Sequence, residues 1–391
     1  PDPTAGPMRP SLLSAALVAA LVGYGSTIAL VLAAAQALGA STLETASWVM
    51  AICFAKAAGS ALLSTRHRVP VVLAWSTPGA ALIAASTGYS MAEGVAAFIL
   101  AGLLIVATGL IKPLGTLVAR IPDGIAAAML AGVLLPFVLK GAGALEAAPL
   151  LVAPMVGLFA LVRLKNPAMA VLAALAAGLI TAFASGATSL PPLPPLPPTP
   201  VLIWPEWHLP ALIGLGLPLY LVTMASQNLP GFATMRAAGY EPPVASALTV
   251  TGGISAFAAL FGAHTVNMAA ITAAICMGDD VHPDRSQRWK VGLAYAGVWV
   301  VLGLTGPVVI AILGALPPAL MTALVALALL GPLMGALTGA FATPDQRFAA
   351  TITLAVTGAG VAFAGIGAAF WGLLAGLAFW GLEHLARRGV S

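Results

Sequence analysis

Long apolar segments, separated by short polar ones, recur along this chain and limit its fold more than any other feature. Hydrophobic residues make up 60% of its 391 residues and charged residues only 7%, whereas an ordinary soluble domain carries about 25% charged residues. Too few polar side chains are present to cover a water-exposed surface. The sequence therefore predicts an all-α polytopic membrane protein, embedded in the lipid bilayer.

A segment of about 20 apolar residues can cross a bilayer as a helix. The sequence contains fourteen such segments, of which the third and the tenth are short and interrupted. The first exceeds the roughly 7–15 apolar residues of a signal-peptide core, so we expect a span and not a cleaved leader. The predicted spans are 11–37, 43–64, 69–86, 91–111, 121–139, 149–163, 167–185, 209–235, 243–261, 262–277, 288–313, 316–336, 346–364 and 366–386.

The distribution of Lys and Arg supports this count and orients the chain. If the N-terminus is cytoplasmic and the sides alternate, fourteen of these residues fall in inside loops and only Lys140 falls outside. Positive charge is enriched on the cytoplasmic side of membrane proteins, so both termini are predicted to be cytoplasmic. The inside residues are Arg9, Arg66, Arg68, Lys112, Arg120, Arg163, Lys165, Arg236, Arg285, Arg288, Lys290, Arg347, Arg387 and Arg388.

A proline-rich stretch at 186–208 divides the chain into two halves of seven predicted spans. Proline-rich sequence cannot propagate a helix, so this stretch is predicted to be an extracytoplasmic linker. Because seven is odd, the second half must run through the membrane in the opposite direction. "AWSTPGAALIAAS" (74–86) lines up with "AHTVNMAAITAAI" (263–275), and "IPDGIAAAMLAGVLL" (121–135) lines up with "LPPALMTALVALALL" (316–330). The sequence thus predicts a 7+7 inverted repeat.

The two interrupted spans occupy matching places in the two halves. In span 3, β-branched residues precede "STPG", which predicts a short strand, a turn and a half-helix that begins near Pro78; "FGAHTVNM" followed by "AAITAAI" repeats the plan in span 10. Unpaired backbone groups cannot face lipid, so both segments should lie inside the protein. Broken segments at matching positions indicate a transporter binding site. Their helix N-termini would suit an anion.

Span 10 carries the most unusual polar side chains, namely His264, Thr265 and Asn267. A histidine within a membrane span is costly and is usually functional, and an imidazole can exchange a proton near physiological pH. His264 is therefore predicted to bind the ligand or to carry a proton. The alternative is a structural hydrogen bond.

Three further groups complete the predicted site. Gln227 and Asn228 would contact the substrate, or would satisfy the backbone that a following proline interrupts. The Ser76–Thr77–Pro78 turn would either bind a carboxylate through its backbone N–H groups or only cap the half-helix. Tyr24, in a glycine-rich part of span 1, is a weaker candidate, because glycines in membrane spans more often allow close helix packing.

Several residues and motifs narrow the function. Lys56 lies within span 2 and needs a partner or a route to the interface. Cys53 and Cys276 lie in separate apolar segments, so we expect neither a disulfide nor a metal site. The sequence has no Walker A motif, no HExxH motif, no Ser/His/Asp set and no nucleic-acid patch. We therefore expect no enzyme, no catalytic residues, no cofactor and no nucleic-acid partner.

Three stretches resemble the benzoate/proton symporter family: "AWSTPGAALIA" (74–84), "QNLPGFATMRAAGY" (227–240) and "GAHTVNMAAITAAICMGDDVHPD" (262–284). The resemblance covers essentially the whole chain. It implies uptake of benzoate with H⁺ across a bacterial inner membrane, and a fold like that of the uracil/proton symporter. In that fold, spans 1–4 and 8–11 form a core domain and spans 5–7 and 12–14 form a gate domain. The substrate lies between spans 1, 3, 8 and 10.

The resemblance implies that each domain is built from two separate stretches of the chain, with the linker between the halves. The core domain would consist of residues 11–111 and 209–313. The gate domain would consist of residues 112–185 and 314–388, and the linker would be residues 186–208.

Nucleobase members of that fold use glutamates on spans 8 and 10. Here His264 occupies the span 10 position, and Gln227 or Asn228 lies near the span 8 position. Neutral amides suit a carboxylate, which glutamates would repel. The resemblance therefore implies a benzoate–H⁺ symporter that works by alternating access, with His264 as the proton-coupling candidate. Its rivals are a carrier of a nucleobase or an inorganic anion, and a passive anion channel. A homodimer is one assembly consistent with the sequence, which does not fix the oligomeric state.

Overall fold

The computed structural model describes residues 10–111 and 121–388. The side assignments of Arg9, Lys112 and Arg120 therefore concern residues outside the described ranges. Within those ranges, nine helices are long and apolar enough to cross a membrane. Many leucines on their outer faces are exposed, such as Leu13 and Leu17 on the first helix, as expected where a helix faces lipid. The chain is an all-helical polytopic membrane protein, as its composition predicted.

Within residues 10–111 and 121–184, the first half of the chain contains seven α-helices and one short strand. Helix α2 begins with a capping box, in which Ser41 and Glu44 exchange side-chain and backbone hydrogen bonds. The elements are α1 (Pro10–Ala37), α2 (Thr42–His67), β1 (Leu73–Trp75), α3 (Thr77–Ala85), α4 (Met91–Leu110), α5 (Asp123–Ala147), α6 (Pro149–Arg163) and α7 (Ala170–Ala184).

Within residues 209–388, the second half contains seven more α-helices and a second strand. Its elements are α8 (Leu209–Ala237), α9 (Val244–Ala259), β2 (Val266–Met268), α10 (Ile271–Ile275), α11 (Lys290–Gly314), α12 (Pro318–Ala342), α13 (Arg347–Gly358) and α14 (Ala368–Arg388).

Helix α8 contains two wider π-helical turns, at Leu212–Gly216 and Met224–Asn228. Each turn comes just before a proline, Pro218 or Pro230. A proline ring has no N–H to donate and collides with the carbonyl four residues earlier, and a π turn at that place relieves the conflict. The second π turn contains Gln227 and Asn228, so it sets the direction of both amides.

The two interrupted segments each contain a strand and a helix, and they meet inside the protein. Strands β1 and β2 pair antiparallel, with Leu73 opposite Met268 and Trp75 opposite Val266. The Ser76 N–H also donates to the Thr265 carbonyl at 3.0 Å. Both strands are almost completely buried. The pairing satisfies backbone groups that could not face lipid.

The helices on either side of this pair pack closely. Helix α2 packs along α11, α4 along α9, and α5 along α12. Glycines allow the α4–α9 contact, since a Cβ on Gly252 would lie 2.5 Å from the carbonyl oxygen of Gly102. Such close backbone approach through small residues is typical of membrane helices.

The proline-rich stretch at 186–208 contains no helix. Its C-terminal end is bound to the helices of both halves. The Val201 N–H donates to Ser47 Oγ at 2.9 Å, and the Ile203 N–H donates to the Leu260 carbonyl at 2.7 Å. Ser47 lies near the start of α2 and Leu260 directly follows α9. The stretch therefore holds these two helix ends together.

Candidate functional site

A cavity of about 960 Å³ lies against the paired strands. Its walls come from the two interrupted segments and from helices α1, α2, α5, α6, α7, α8, α11 and α12. It extends to two exposed residues, Asp123 at the start of α5 and Asn166 in the loop after α6. Cavities of roughly 300–1,000 Å³ commonly bind small molecules. This cavity is therefore the candidate site.

Both interrupted segments contribute to the lining. Trp75, Thr77 and Pro78 line the cavity from the first segment, and Ala270 and Thr272 line it from the second. Helix α3 has nine residues, so the N–H groups of its first turn have a substantial dipole behind them. Helix α10 has only five residues. Of the two half-helix N-termini that the sequence predicted, the N-terminus of α3 therefore has the larger helix dipole.

Gln227 lines the cavity, whereas its neighbour Asn228 does not. Gln227 Oε1 accepts a hydrogen bond from Asn267 Nδ2 at 3.2 Å, which leaves the Gln227 NH₂ group for a ligand. Asn228 is fully buried, and its Oδ1 accepts the N–H of Met268 in β2 at 2.9 Å. The two amides therefore have different environments: Gln227 belongs to the wall, and Asn228 holds β2 against α8.

Asn267 is fully buried behind this wall. Besides its bond to Gln227, its Nδ2 donates to the Met268 carbonyl at 2.8 Å. Its Oδ1 has no hydrogen-bond partner among the described residues. Asn267 therefore orients Gln227 and is not itself part of the lining.

Ser76 and Thr265 also lie behind the cavity wall. Ser76 Oγ accepts the N–H of Gly79 at 3.1 Å and thereby caps α3. Thr223 of α8 donates to the same oxygen at 3.1 Å, and its hydroxyl is 2.9 Å from that of Thr265. These contacts join the two interrupted segments to α8. For Ser76, the capping role that the sequence left open is present.

His264 is fully buried and is not among the cavity-lining residues. Its Nδ1 accepts a hydrogen bond from the indole N–H of Trp48 at 3.0 Å. Its Nε2 is 3.2 Å from the carbonyl oxygen of Ser76 and donates to it. Both ring nitrogens therefore have partners in this arrangement, and the imidazole connects α2 to the start of α3.

Tyr24 supports the wall from behind. Its ring centroid lies 5.7 Å from that of Trp75 and 5.9 Å from that of Trp299. Its hydroxyl is buried without a hydrogen-bond partner in the described ranges of the chain. Tyr24 is not among the lining residues, so its contacts position the aromatic side chains next to the cavity.

Trp75 and Lys56 are two of the lining residues that the predicted site did not include. Trp75 reaches the cavity from the end of β1, and its indole N–H donates to Thr27 Oγ1 at 2.7 Å. Lys56 lines the cavity from the middle of α2. A lysine within an apolar span was a sequence signal for Lys56, and the position of Trp75 directly before the predicted Ser-Thr-Pro-Gly turn was a signal for Trp75.

Comparison with known proteins identifies the family. The family model described as "Benzoate membrane transport protein" (BenE) matches residues 6–382. The chain belongs to this family. The resemblance predicted from three short stretches is thus confirmed, and the protein is a membrane transporter.

Two relatives in the family match almost the full chain. The inner membrane protein YdcO of Escherichia coli is 38% identical over 369 residues, which are 94% of each chain. A benzoate membrane transport protein of Acinetobacter baylyi is 35% identical over 364 residues, which are 93% of this chain and 92% of that protein.

Solved structures with a similar fold include proteins described as transporters. The transmembrane domain of the cyanobacterial bicarbonate transporter BicA has a TM-score of 0.62 and 16% identity, covering 93% of this chain and 97% of that one. The structure of SLC26A9 has a TM-score of 0.64 and 12% identity, covering 96% of this chain and 65% of that one. At these identities the likeness concerns the fold alone.

Proposed function

We propose that this transporter imports benzoate, or a similar small aromatic carboxylate, together with H⁺ by alternating access. The observation that carries the proposal is the cavity at the two interrupted segments. Its wall there consists of apolar, aromatic, neutral polar and basic side chains, and among the described residues Asp123 at the far end is the only acidic one in the lining. Such a surface accepts an organic anion without repelling it.

Gln227 has the chemistry to bind a carboxylate. Because its Oε1 is occupied by Asn267, its NH₂ group can donate to a ligand oxygen. The first-turn N–H groups of α3, beside Thr77 and Pro78, supply further donors and a favourable dipole. We infer that these three residues contact the substrate. Ser76, Asn228, Thr265, Asn267 and Tyr24 support them from behind.

We further propose fourteen spans in a 7+7 inverted repeat. Two segments related by an inverted repeat run in opposite directions through the membrane. Strands β1 and β2 pair antiparallel, in agreement with this relation. The helix contacts follow the same relation. Helices whose numbers differ by seven are equivalent in the two halves, so the α2–α11 contact corresponds to the α9–α4 contact, and the α6–α7 contact corresponds to the α13–α14 contact. Spans 1–4 and 8–11 then form the core, and the other six spans form the gate.

The cavity would lie between these two domains and open toward the cytoplasm. At its mouth, Asp123 follows Lys112 and Arg120 in sequence, and Asn166 follows Arg163 and Lys165. The charge distribution assigns these basic residues to the inside. On the opposite side, the Tyr89 hydroxyl donates to the Gly365 carbonyl at 2.7 Å and so joins core to gate. We propose an inward-open state in a bacterial inner membrane, with both termini cytoplasmic.

His264 remains the proposed proton-coupling residue. Its imidazole contacts the Ser76 carbonyl at the start of α3. A change in its protonation would break the hydrogen bond from Trp48 and disturb the cavity wall at Thr77. This route would connect the proton to the substrate although His264 does not line the cavity.

Assembly as a homodimer also remains a prediction, which cross-linking in membranes would test.

The proposal is tested by uptake of radiolabelled benzoate into proteoliposomes with and without an imposed pH gradient. We expect accumulation above the equilibrium concentration when the side from which benzoate enters is the more acidic, and inhibition by salicylate. Inhibition by uracil or sulfate instead would favour a different solute on the same fold. Uptake that only equilibrates, whatever the pH gradient, would favour a passive channel.

A further inference from the structure

Lys56 places an amino group in the interior of the membrane-spanning region. It is 1% exposed and lies fourteen residues after the start of α2 and eleven before its end. At 1.5 Å per residue, these separations are about 21 Å and 17 Å. A lysine side chain cannot extend that far, so the ammonium group cannot reach the membrane surface as lysines near helix ends do.

The ammonium group lies against two indole rings. Lys56 Nζ is 2.9 Å from the ring centroid of Trp299 and 4.0 Å from that of Trp75. The Trp75 ring is fixed by its hydrogen bond to Thr27, and Trp299 packs edge-on against it at 5.3 Å. Contacts of this kind stabilise a cation by about 0.5–2 kcal/mol.

No fixed anion is placed to compensate a positive charge on Lys56. Among the residues that the structure describes, no Asp or Glu lies within ion-pair distance of Lys56 Nζ. Removing an ion from water costs several kcal/mol in a protein, which exceeds the stabilisation by the two rings. A buried lysine that lines a cavity and lacks a carboxylate partner is suited to receive a carboxylate from a ligand.

We propose that Lys56 is the positive charge that pairs with the carboxylate of the transported aromatic anion. The inference rests on the proposed function and adds the residue that selects for charge. The ligand would place its carboxylate at Nζ and its ring against Trp75, which lines the same cavity. One lysine matches one carboxylate, so a monoanion should bind more tightly than its neutral amide or a dicarboxylate.

The test measures binding of benzoate, benzamide and phthalate to the purified full-length protein by titration calorimetry. We expect the wild-type protein to bind benzoate at least ten times more tightly than the other two ligands. Lys56→Met, which keeps the length of the side chain, should weaken benzoate binding by at least tenfold and leave benzamide binding within about twofold. Lys56→Arg should retain the preference for benzoate. Lys140→Met, at an exposed lysine of α5, is the matched control and should bind like wild type.

A second measurement needs no variant and covers the case in which Lys56→Met does not fold. Lys56 is acylated in the wild-type protein with a small amine-reactive reagent and quantified by mass spectrometry. Benzoate should protect Lys56, and benzamide at the same concentration should not.

Two outcomes overturn the assignment. One is a folded Lys56→Met protein that still prefers benzoate as strongly as wild type. The other is acylation of Lys56 that benzoate does not slow. Failure of the wild-type protein to bind or take up benzoate would refute the proposed function as well, whereas uptake with an unchanged preference in Lys56→Met refutes only the role of Lys56.

Discussion

The two adjacent amides of α8 should respond differently to the same substitution. Asn228→Ala removes the buried oxygen that accepts the Met268 N–H at 2.9 Å. An unsatisfied buried donor costs about 1–3 kcal/mol. Gln227→Ala instead removes a side chain that borders the cavity, and Asn267 keeps its second acceptor, the Met268 carbonyl. We therefore expect loss of stability in the first variant and loss of binding in the second.

The magnitudes follow from these contacts. For Asn228→Ala, we expect the midpoint of thermal unfolding in detergent to fall by about 1–4 °C, because an unfolding entropy of about 2.1 cal/mol/K per residue gives a chain of 391 residues roughly 1.2 °C for each kcal/mol. For Gln227→Ala, the midpoint should change by about 1 °C or less. Loss of a hydrogen bond to a charged ligand, about 1.5–3 kcal/mol, should weaken benzoate binding by about ten- to 150-fold. Gln227→Glu should weaken it more, because a carboxylate cannot donate and repels the ligand.

The assay heats each variant, separates the surviving monodisperse protein by size-exclusion chromatography, and measures benzoate affinity on the unheated sample. Hydrogen exchange at the Met268 amide gives a local readout and should accelerate in Asn228→Ala. The reasoning is refuted if Asn228→Ala is as stable as wild type, or if Gln227→Ala binds benzoate normally.

Three other predictions follow from single contacts. Gly252→Ala should destabilise the protein by about 1–3 kcal/mol, because its Cβ would collide with the α4 backbone; Gly253→Ala, which meets nothing within 4 Å, is the control for the same thermal assay. Tyr89→Phe should shift the equilibrium away from the inward-open state by about two- to tenfold, since the bond to Gly365 contributes about 0.5–1.5 kcal/mol; unchanged cytoplasmic labelling of a cysteine introduced into the cavity would contradict this. His264→Ala should fold but lose uptake driven by the pH gradient, and full accumulation in that variant would remove His264 from the coupling mechanism.

The interrupted segments were predictable because their sequence is locally inconsistent with a continuous helix. Ser-Thr-Pro-Gly follows a run of β-branched residues in the first, and polar side chains interrupt the second. Their pairing register was not predictable, because it depends on contacts between residues nearly 200 positions apart in sequence. Of the residues chosen for the site, Gln227, Thr77 and Pro78 line the cavity, whereas His264 and Asn228 do not.

The sequence by itself determined the membrane class, the positions of the helices, the two breaks and the few polar side chains within apolar segments. Hydropathy and proline act locally, so these features are visible without the fold. Tertiary structure decided which side of each segment reaches the cavity. A π turn in α8 directs two neighbouring amides to different environments, and two tryptophans from distant segments meet at Lys56. Such directions depend on helix rotation and long-range packing, which hydrophobic periodicity cannot specify when nearly every face of a helix is apolar.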